Sequence, residues 1–454
     1  MLIIASDLHF SDGTCGRSVA PRAAELFCAR VRELALNASW DRDGVYRPIE
    51  SIDIVLMGDI LDPLHSTLWL DTSLGSVGCV RPWTDPALPA YAAKLQQITR
   101  AVIRENRDGL EMLGKLARGE IVALPPAANG HPDFSARQGV SPQVRMYYTV
   151  GNHDWYYHLP GAAFDAIRAE IINLLGLSNP VDNFPWQIEE YGPLRQIFAD
   201  YRVYGRHGDI YDDFNFNKDR GRDAASLGDV FTVEVLNRYA VEVQKEYGSS
   251  IPPAIQESLH RLANVRPVLA TPLWINAQIK QNAGSRAVQT KLKNVWNQLA
   301  DEFLQIDYVR QQDKAFQFDL VDAMELILKL SKKTSFNTID ELVVWVREHL
   351  WGGEISFANH ALREPAFIKN EARYIVYGHT HYPEIISLDL VGKPPVSEGQ
   401  IYFNSGTWHS FYNLAIKSPE EKRFVPFQAM TYLTFYQERE HGERNFEAWS
   451  GAFA

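Results

Sequence analysis

The chain has 454 residues, enough for about two to four domains of ordinary size or for one domain with large insertions. Hydrophobic residues make up 46% of the chain and charged residues 22%, as in folded globular proteins, so disordered, collagen-like and coiled-coil classes are excluded. The net charge of −11 opposes general binding to a nucleic-acid backbone, and nucleic acid is therefore an unlikely partner.

The cysteines and the apolar runs exclude several further classes. Cys15, Cys28 and Cys79 are too few and too scattered for a disulfide framework or a thiolate metal site. No window approaches the roughly 18 consecutive apolar residues of a membrane-spanning helix, and the carboxylate of Asp7 comes too early for a signal peptide. We therefore expect a cytoplasmic protein without a membrane span.

The first elements in chain order are typical of a βαβ unit. Leu2 to Ala5 and Ser51 to Met57 are short apolar runs that indicate buried strands, and a helical apolar spacing begins between them at Pro21. In such units the ligand-binding residues lie at the carboxyl ends of the strands. Asp7 and Asp59 occupy those positions.

Two regions have the composition of insertions. At about 66–145, two Gly/Pro-rich stretches flank a helical pattern, and from 215 to 364 the pattern is almost wholly helical. We therefore predict a core formed by 1–214 and 365–454, with a loop-helix insertion at 66–145 and a helical lid or cap at 215–364. Further core elements are predicted as a helix at 161–176, an extended segment at 195–204, and strands at 145–150, 374–377, 384–391, 400–403 and 427–436.

Five short motifs follow the predicted strand ends. They are Asp7-Leu-His9, Gly58-Asp59-Ile-Leu-Asp62, Gly151-Asn152-His153-Asp154, His207-Gly-Asp209 and Gly378-His379-Thr-His381. Their carboxylates, amide and imidazoles suit divalent Mn, Fe or Zn. The candidate ligands are too many for one ion and fit two ions that share a carboxylate, an arrangement that can bind a phosphate and hydrolyse a phosphoester. These ligands are Asp7, His9, Asp59, Asn152, His207, His379 and His381.

In this order, the motifs resemble the signature of the calcineurin-like metallophosphoesterase superfamily. The resemblance implies an α/β fold of two packed mixed β-sheets flanked by helices, and two metal ions bridged by Asp59. It implies that the first ion is held by Asp7, His9, Asp59 and His381. It implies that the second is held by Asp59, Asn152, His207 and His379.

The resemblance also implies two roles beyond metal binding. His153 would stabilise the transition state or protonate the leaving oxygen, and Asp154 would orient His153. A His-Gly-Asp motif followed by a helical insertion looks like the UDP-diacylglucosamine pyrophosphatase branch, although that branch has Arg at the position of His153 and lacks the 66–145 insertion. The resemblance covers roughly residues 1–65, 145–212 and 372–410.

Several residues keep alternative interpretations. His360 is an alternative to His207, which we prefer because it follows an extended segment. We interpret Asp62, Asp209 and Asp212 as turn or outer carboxylates. The aromatic and histidine residues that follow strand ends either pack there or line a substrate pocket: Phe10, Trp155, Tyr156, Trp408 and His409. The remaining histidines are interpreted as surface or core residues: His65, His131, His158, His260, His349 and His441.

The leading functional hypothesis is a dinuclear metal-dependent phosphohydrolase, in which a metal-bridging hydroxide attacks a phosphoester or pyrophosphate bond. The alternatives are an interaction scaffold with the same fold and a nuclease, the latter opposed by the net charge. A cap at 215–364 would narrow access and favour a small phosphorylated substrate. Basic residues of this region form a solvated helix face or meet that substrate: Arg261, Arg266, Lys280, Arg286, Lys291 and Lys293.

Overall fold

The fold is taken from a computed structural model of the chain. It describes residues 1–17, 19–266, 271, 274, 275, 277, 278, 282, 285–312, 321, 324, 325, 328, 356–393, 396–414, 424–442 and 444–452. Several residues of the predicted cap, including Lys280 and His349, lie outside the described residues.

The strands fall into sheets of five, four, three and two strands among the described residues. Their bounds are β1 Leu2–Ala5, β2 Ser51–Met57, β3 Ala127–Ala128, β4 His131–Pro132, β5 Gln143–Thr149, β6 Val203–Gly205, β7 Val265–Arg266, β8 Tyr374–Tyr377, β9 Glu384–Lys393, β10 Val396–Asn404, β11 Phe411–Leu414, β12 Phe424–Phe427, β13 Ala429–Phe435 and β14 Phe446–Ala452.

The α-helices lie between and after these strands. Their bounds are α1 Ala23–Ala38, α2 Pro89–Glu105, α3 Arg107–Ala117, α4 Ala162–Leu175, α5 Gly192–Asp200, α6 Leu227–Phe231, α7 Arg238–Tyr247, α8 Pro253–Leu259, α9 Arg286–Gln305, α10 Asp307–Arg310, α11 Ala358–Ala361 and α12 Pro365–Ile368. A π-helical turn, Thr232–Asn237, joins α6 to α7. Short 3-10 helices occupy Thr67–Leu70, Trp155–His158, Ile188–Glu190, Asp209–Tyr211, Gly248–Ser250 and Leu262–Asn264.

Two mixed sheets form the centre of the fold. The first has the order β14-β13-β1-β2-β5, with β1, β2 and β5 parallel and β13 antiparallel to β1. The second has the order β6-β8-β10-β9, with β6, β8 and β10 parallel and β9 antiparallel. The expected α/β architecture of mixed sheets flanked by helices is therefore confirmed.

Alternate residues of β2 belong to two different cores. Ile54 and Leu56 lie in the core that contains Phe27 of α1 and Leu113 of α3. Val55 and Met57 lie in a second core that also contains residues of β8 and β10, namely Ile375, Val376, Tyr402 and Phe403. Because strand side chains alternate between faces, the first sheet is covered by helices on one face and by the second sheet on the other.

The segment before β6 corrects one expectation. The predicted extended segment at 195–204 is helical over most of its length, since α5 runs from Gly192 to Asp200 and only Val203–Gly205 is a strand. A proline in the first turn favours the helix start. Leu194, Ile197 and Phe198 then recur at helical spacing and are all buried, a period that outweighs the β-like composition of the segment.

The predicted insertions are largely helical where the structure describes them. The 66–145 region contains α2 and α3, which are separated at Asn106, and α3 packs on α1 and α4. The described part of 215–364 contains α6 to α11, and α9 packs on α7. Its role as a lid stays a prediction. None of the described helices has both the length and the apolar character that a bilayer crossing needs.

We expect Ile54→Ala to lower the free energy of unfolding by about 2–5 kcal/mol, because it leaves a cavity at a fully buried position. Val425→Ala is the matched control, since Val425 is 50% exposed and its truncation should cost less than about 1 kcal/mol. Urea titrations monitored by circular dichroism measure the free energy of unfolding of both variants. Equal effects of the two substitutions would contradict the placement of β2 in the core.

Candidate metal centre

The predicted ligands lie at the carboxyl ends of parallel strands from both sheets. β1, β2, β6 and β8 each end two residues before a predicted ligand, and β5 ends three residues before another. These ligands are Asp7, Asp59, His207, His379 and, after β5, Asn152. Parallel strands place their carboxyl ends at one edge of a sheet, and the two sheets pack face to face. The polar residues therefore meet at one end of the sandwich.

The backbone at these positions adopts a conformation that is costly for most residues. Nine described non-glycine residues have a positive φ, and five of them are predicted ligands, with φ between 51° and 67°. These five are Asp7, His9, Asp59, His379 and His381. Left-handed backbone at non-glycine residues costs roughly 1 kcal/mol or more each and is concentrated at functional sites. The strand ends are therefore strained at the positions that present the donor groups.

The glycines of the motifs allow these loops to approach one another. A Cβ on Gly151 would lie 2.4 Å from Asp59 Oδ1, and a Cβ on Gly378 would lie 2.6 Å from Asp7 Oδ2. Gly58 has φ +81°, and a Cβ there would lie 2.4 Å from His207 Nδ1. These separations are below any real contact of a Cβ atom, so each glycine is required by the neighbouring ligand loop.

One group of donor atoms is formed by Asp7, His9 and His381, all buried. His381 Nε2 lies 3.1 Å from His9 Nε2 and 3.3 Å from Asp7 Oδ1. His9 Nε2 lies 3.8 Å from Asp7 Oδ1. Two imidazole nitrogens and a carboxylate oxygen thus face a common point, as three ligands of one metal ion do.

A second group is formed by Asp59, His207 and His379, with Asn152 beside it. Asn152 Oδ1 lies 3.2 Å from His207 Nε2 and 2.9 Å from His379 Nδ1. Asp59 Oδ2 lies 3.2 Å from His207 Nε2. The structure therefore brings together the residues that the sequence predicted for the second ion.

The carboxylate of Asp59 lies between the two groups. Its Oδ2 is 3.2 Å from His207 Nε2 in the second group and 3.8 Å from His9 Nε2 in the first. Its Oδ1 accepts a hydrogen bond of 2.8 Å from the backbone N–H of His153. One oxygen of Asp59 thus faces imidazoles of both donor groups.

The donor geometry fits divalent ions. With metal–ligand bonds of about 2.0–2.2 Å, neighbouring donors around one ion lie about 3–3.5 Å apart, close to most of the separations above. Asp7 Oδ1 is buried and has no hydrogen-bond partner among the described residues. A buried carboxylate oxygen without a donor is costly unless a cation compensates it. Buried His/Asp clusters in this chain can therefore hold metal ions.

Outer contacts orient the imidazoles. His9 Nδ1 lies 2.9 Å from Asp62 Oδ2, and His207 Nδ1 lies 3.2 Å from the carbonyl of Met57. Both rings therefore direct Nε2 at the donor groups. His379 has the opposite orientation, because its Nε2 lies 3.0 Å from Asp212 Oδ2 and its Nδ1 faces Asn152. Such contacts fix the tautomer of a metal-binding histidine.

The expected pairing of Asp154 with His153 is wrong. Asp154 accepts hydrogen bonds from the backbone N–H groups of Ile60 and Gly151 and from the Tyr148 hydroxyl. These bonds stabilise the two motif loops instead. The carboxylate beside His153 is Asp62, whose oxygens lie 3.1 and 3.2 Å from His153 Nδ1. The sequence neighbour does not pair with His153 because its carboxylate is engaged by Ile60, Gly151 and Tyr148.

The structure places His207 and its alternative, His360, in different surroundings. His207 is buried among the donor groups. His360 lies in α11 and stacks on Tyr211, with ring centroids 4.2 Å apart. His207 is therefore the histidine that the fold brings to Asn152 and Asp59.

Residues outside the five motifs also contribute to the site. His65, which the sequence left as a surface or core histidine, lies 2.7 Å from Asp62 through its Nδ1, and His409, which the sequence placed after a strand end, packs edge-on against His9. The segment after β10 supports the first motif, since Thr407 Oγ1 donates to the carbonyl of Asp7 at 2.7 Å. A polar Asn-Ser-Gly-Thr run directly after a predicted strand was the available signal for this segment. No spacing rule pointed to His65.

Arg222 connects the start of the predicted cap to the second donor group. Its guanidinium makes two hydrogen bonds with Asp209, of 2.6 and 2.9 Å, and donates to the carbonyl of Gly151 at 2.9 Å. Asp209 and Gly151 lie close in sequence to His207 and Asn152. The buried guanidinium also lies over two aromatic rings, those of Trp186 and Phe216. Arg222 thereby holds both loops against each other.

The carboxylates raise the proton affinity of the buried imidazoles. Burial alone lowers the pKa of His9 and His207, but the negative charges around them outweigh burial and raise the pKa of His9 to about 9 and that of His207 to about 10. Burial acts to raise the pKa of Asp59, yet His207 and the other neighbouring imidazoles hold it below its usual range. The same negative field that attracts protons attracts a divalent cation.

Comparison with protein-family models finds no match for this chain, and comparison with curated proteins finds none either.

We expect Asp59→Asn to lose bound metal, because a neutral amide removes negative charge from both donor groups at once. Plasma emission spectroscopy of the purified variant should give far less than the wild-type metal content per chain. Asp43→Asn, at an exposed position, is the control and should keep the wild-type content. Wild-type metal content and affinity in Asp59→Asn would contradict the bridging position.

Metal binding should release protons. With pKa values of about 9 and 10, His9 and His207 carry a second proton near neutral pH, and each must lose it to bind a metal ion. Metal affinity should therefore increase as pH rises toward these values. Calorimetric titration of the metal-free protein with Mn²⁺ in two buffers of different ionisation enthalpy should show release of about one proton per ion. Equal binding enthalpies in both buffers would contradict the release of protons.

Proposed function

We propose that the chain is a dinuclear metal-dependent phosphohydrolase that cleaves a phosphoester or pyrophosphate bond. The observation that carries the proposal is the position of Asp59 Oδ2 between two groups of donor atoms. The resemblance of all five motifs to the calcineurin-like metallophosphoesterase signature supports the same chemistry. The finer proposal is that Asp7, His9, Asp59 and His381 would hold one ion, and that Asp59, Asn152, His207 and His379 would hold the other.

Two bound divalent ions would supply Lewis-acid stabilisation of the phosphoryl oxygens and activation of a water molecule. The chain's own contribution begins with a fixed set of donors. Asp59 and Asp7 are almost completely buried, so solvent screens their charges little. Gly58, Gly151 and Gly378 let the loops carry these charges close together. The protein thereby prepares the site for cations before a substrate binds.

His153 is the residue that we propose to act on the leaving oxygen. Its backbone N–H donates to Asp59 and its Nδ1 faces Asp62, so its Nε2 points away from Asp62. Burial lowers the pKa of His153, although Asp62 and Asp59 act to raise it. A lower pKa makes the protonated imidazole a stronger acid. His153 can therefore donate a proton to a departing alkoxide when it is protonated.

Particular observations oppose the two alternative functions, an interaction scaffold and a nuclease. An interaction scaffold needs no strained, buried ligand set, and scaffolds of this kind usually lose ligands, whereas this chain keeps all seven. A nuclease needs a basic face for the phosphate backbone, and the net charge of −11 opposes it. A cytoplasmic location and a small phosphorylated substrate stay predictions from the sequence.

We expect His153→Ala to keep the wild-type metal content and to lower turnover about 10²–10⁴-fold, as loss of a positioned general acid does. The loss should be smaller for p-nitrophenyl phosphate than for phenyl phosphate, because nitrophenolate leaves without a proton. His131→Ala, at an exposed histidine, should match the wild type. A His153→Ala protein without metal would make His153 a ligand. Absence of both metal and turnover in the wild type would favour the scaffold.

A further inference from the structure

One carboxylate oxygen in this structure contacts three imidazoles. Asp62 Oδ2 lies 2.7 Å from His65 Nδ1, 2.9 Å from His9 Nδ1 and 3.1 Å from His153 Nδ1. Asp62, His9 and His65 are buried. The ring of His65 lies next to that of His153, with centroids 5.0 Å apart and planes 33° apart.

His65 holds both oxygens of this carboxylate. Its backbone N–H donates to Asp62 Oδ1 at 3.1 Å, while its Nδ1 contacts Oδ2. The side chain of Asp62 can therefore not rotate without breaking a contact to His65. Oδ2 also faces His153, so the orientation of that ring depends on this clamp, whereas His9 is placed by its Nε2 in the first donor group as well.

The loop that carries His65 is fixed by side chains from other parts of the chain. Each of them bonds a backbone group between Ile60 and Leu64. The carboxylate of Asp154 accepts from the N–H of Ile60, and the Tyr148 hydroxyl accepts from the N–H of Leu61. Trp69 Nε1 donates to the carbonyl of Pro63, and Asn237 Nδ2 donates to the carbonyl of Leu64. Such over-determination is typical of a positioned site rather than of a surface loop.

The cluster could instead hold a third metal ion, because His9, Asp62, His65 and His153 offer donor atoms within 4.8 Å of one another. The orientation of the rings argues against this use. All three rings present Nδ1 to the same carboxylate oxygen, and His9 directs its Nε2 at the first donor group. An ion at Asp62 would need lone pairs on the three Nδ1 atoms, whereas a histidine that binds metal through Nε2 carries its proton on Nδ1.

We infer that His65 is a positioning residue that acts through Asp62 on His153. By donating Nδ1–H to Asp62, His65 fixes the carboxylate that keeps His153 with its proton on Nδ1 and its Nε2 toward the substrate side. This inference rests on the proposed function of His153. It adds a residue from outside the five motifs to the reaction.

The test compares three substitutions at His65. Asn places an amide N–H near the position of Nδ1, Gln places one near Nε2, and Ala removes both. On phenyl phosphate we expect kcat to fall about tenfold in His65→Ala and His65→Gln, and to stay within about threefold of the wild type in His65→Asn. KM and a content of two metal ions per chain should not change. The loss should be smaller on p-nitrophenyl phosphate.

A spectroscopic measurement gives a readout that does not depend on turnover. In protein with ¹⁵N-labelled histidine, the His153 resonances, assigned by their loss in His153→Ala, should report a proton on Nδ1 in the wild type and in His65→Asn. In His65→Ala the same resonances should report a mixture of tautomers. An unchanged tautomer in His65→Ala would overturn the inference.

The kinetic outcomes also separate the alternatives. If His65→Gln kept more of the wild-type kcat than His65→Asn, His65 would be a substrate contact through Nε2. Equal losses on both substrates would make its role merely structural. Three metal ions in the wild type and two in His65→Ala would make it a ligand. Each result overturns the inference, while a wild type without metal or turnover overturns the proposed function itself.

Discussion

The carboxylate of Asp59 is the constraint on which the candidate site depends. It is buried, and one of its oxygens faces imidazoles from both donor groups. A charge in that position must be compensated, and the fold compensates it with His9, His207 and the backbone N–H of His153. Each of these groups follows a different strand, so the packing of the two sheets determines the geometry of the site.

Building such a site has a conformational cost. Five predicted ligands have left-handed backbone conformations, which is unfavourable by roughly 1 kcal/mol or more per residue. Two buried cores, one on each face of the first sheet, supply the stability that offsets it. Bound cations would relieve the remaining repulsion among the carboxylates. Site and core are therefore linked: a change that loosens β2 should also loosen Asp59.

The sequence was sufficient for the features that depend on local order. The motifs directly follow apolar strands, so their residues were predictable, and the structure brings all seven predicted ligands together. The sequence was insufficient where side chains contact residues of other loops. Asp154 is the sequence neighbour of His153, but its carboxylate accepts hydrogen bonds from Tyr148, Ile60 and Gly151 instead. His65 is only three residues from Asp62, but the loop that carries both is bonded by the distant side chains of Asp154, Tyr148 and Asn237, which no spacing rule encodes.

The central claim is that two divalent ions share Asp59. Crystals of the protein grown with Mn²⁺, measured with X-rays near the manganese absorption edge, test it most directly. We expect two anomalous peaks about 3.5–4 Å apart, with the carboxylate of Asp59 between them. A single peak, or two peaks separated by much more than this with Asp59 contacting only one, would contradict the dinuclear site.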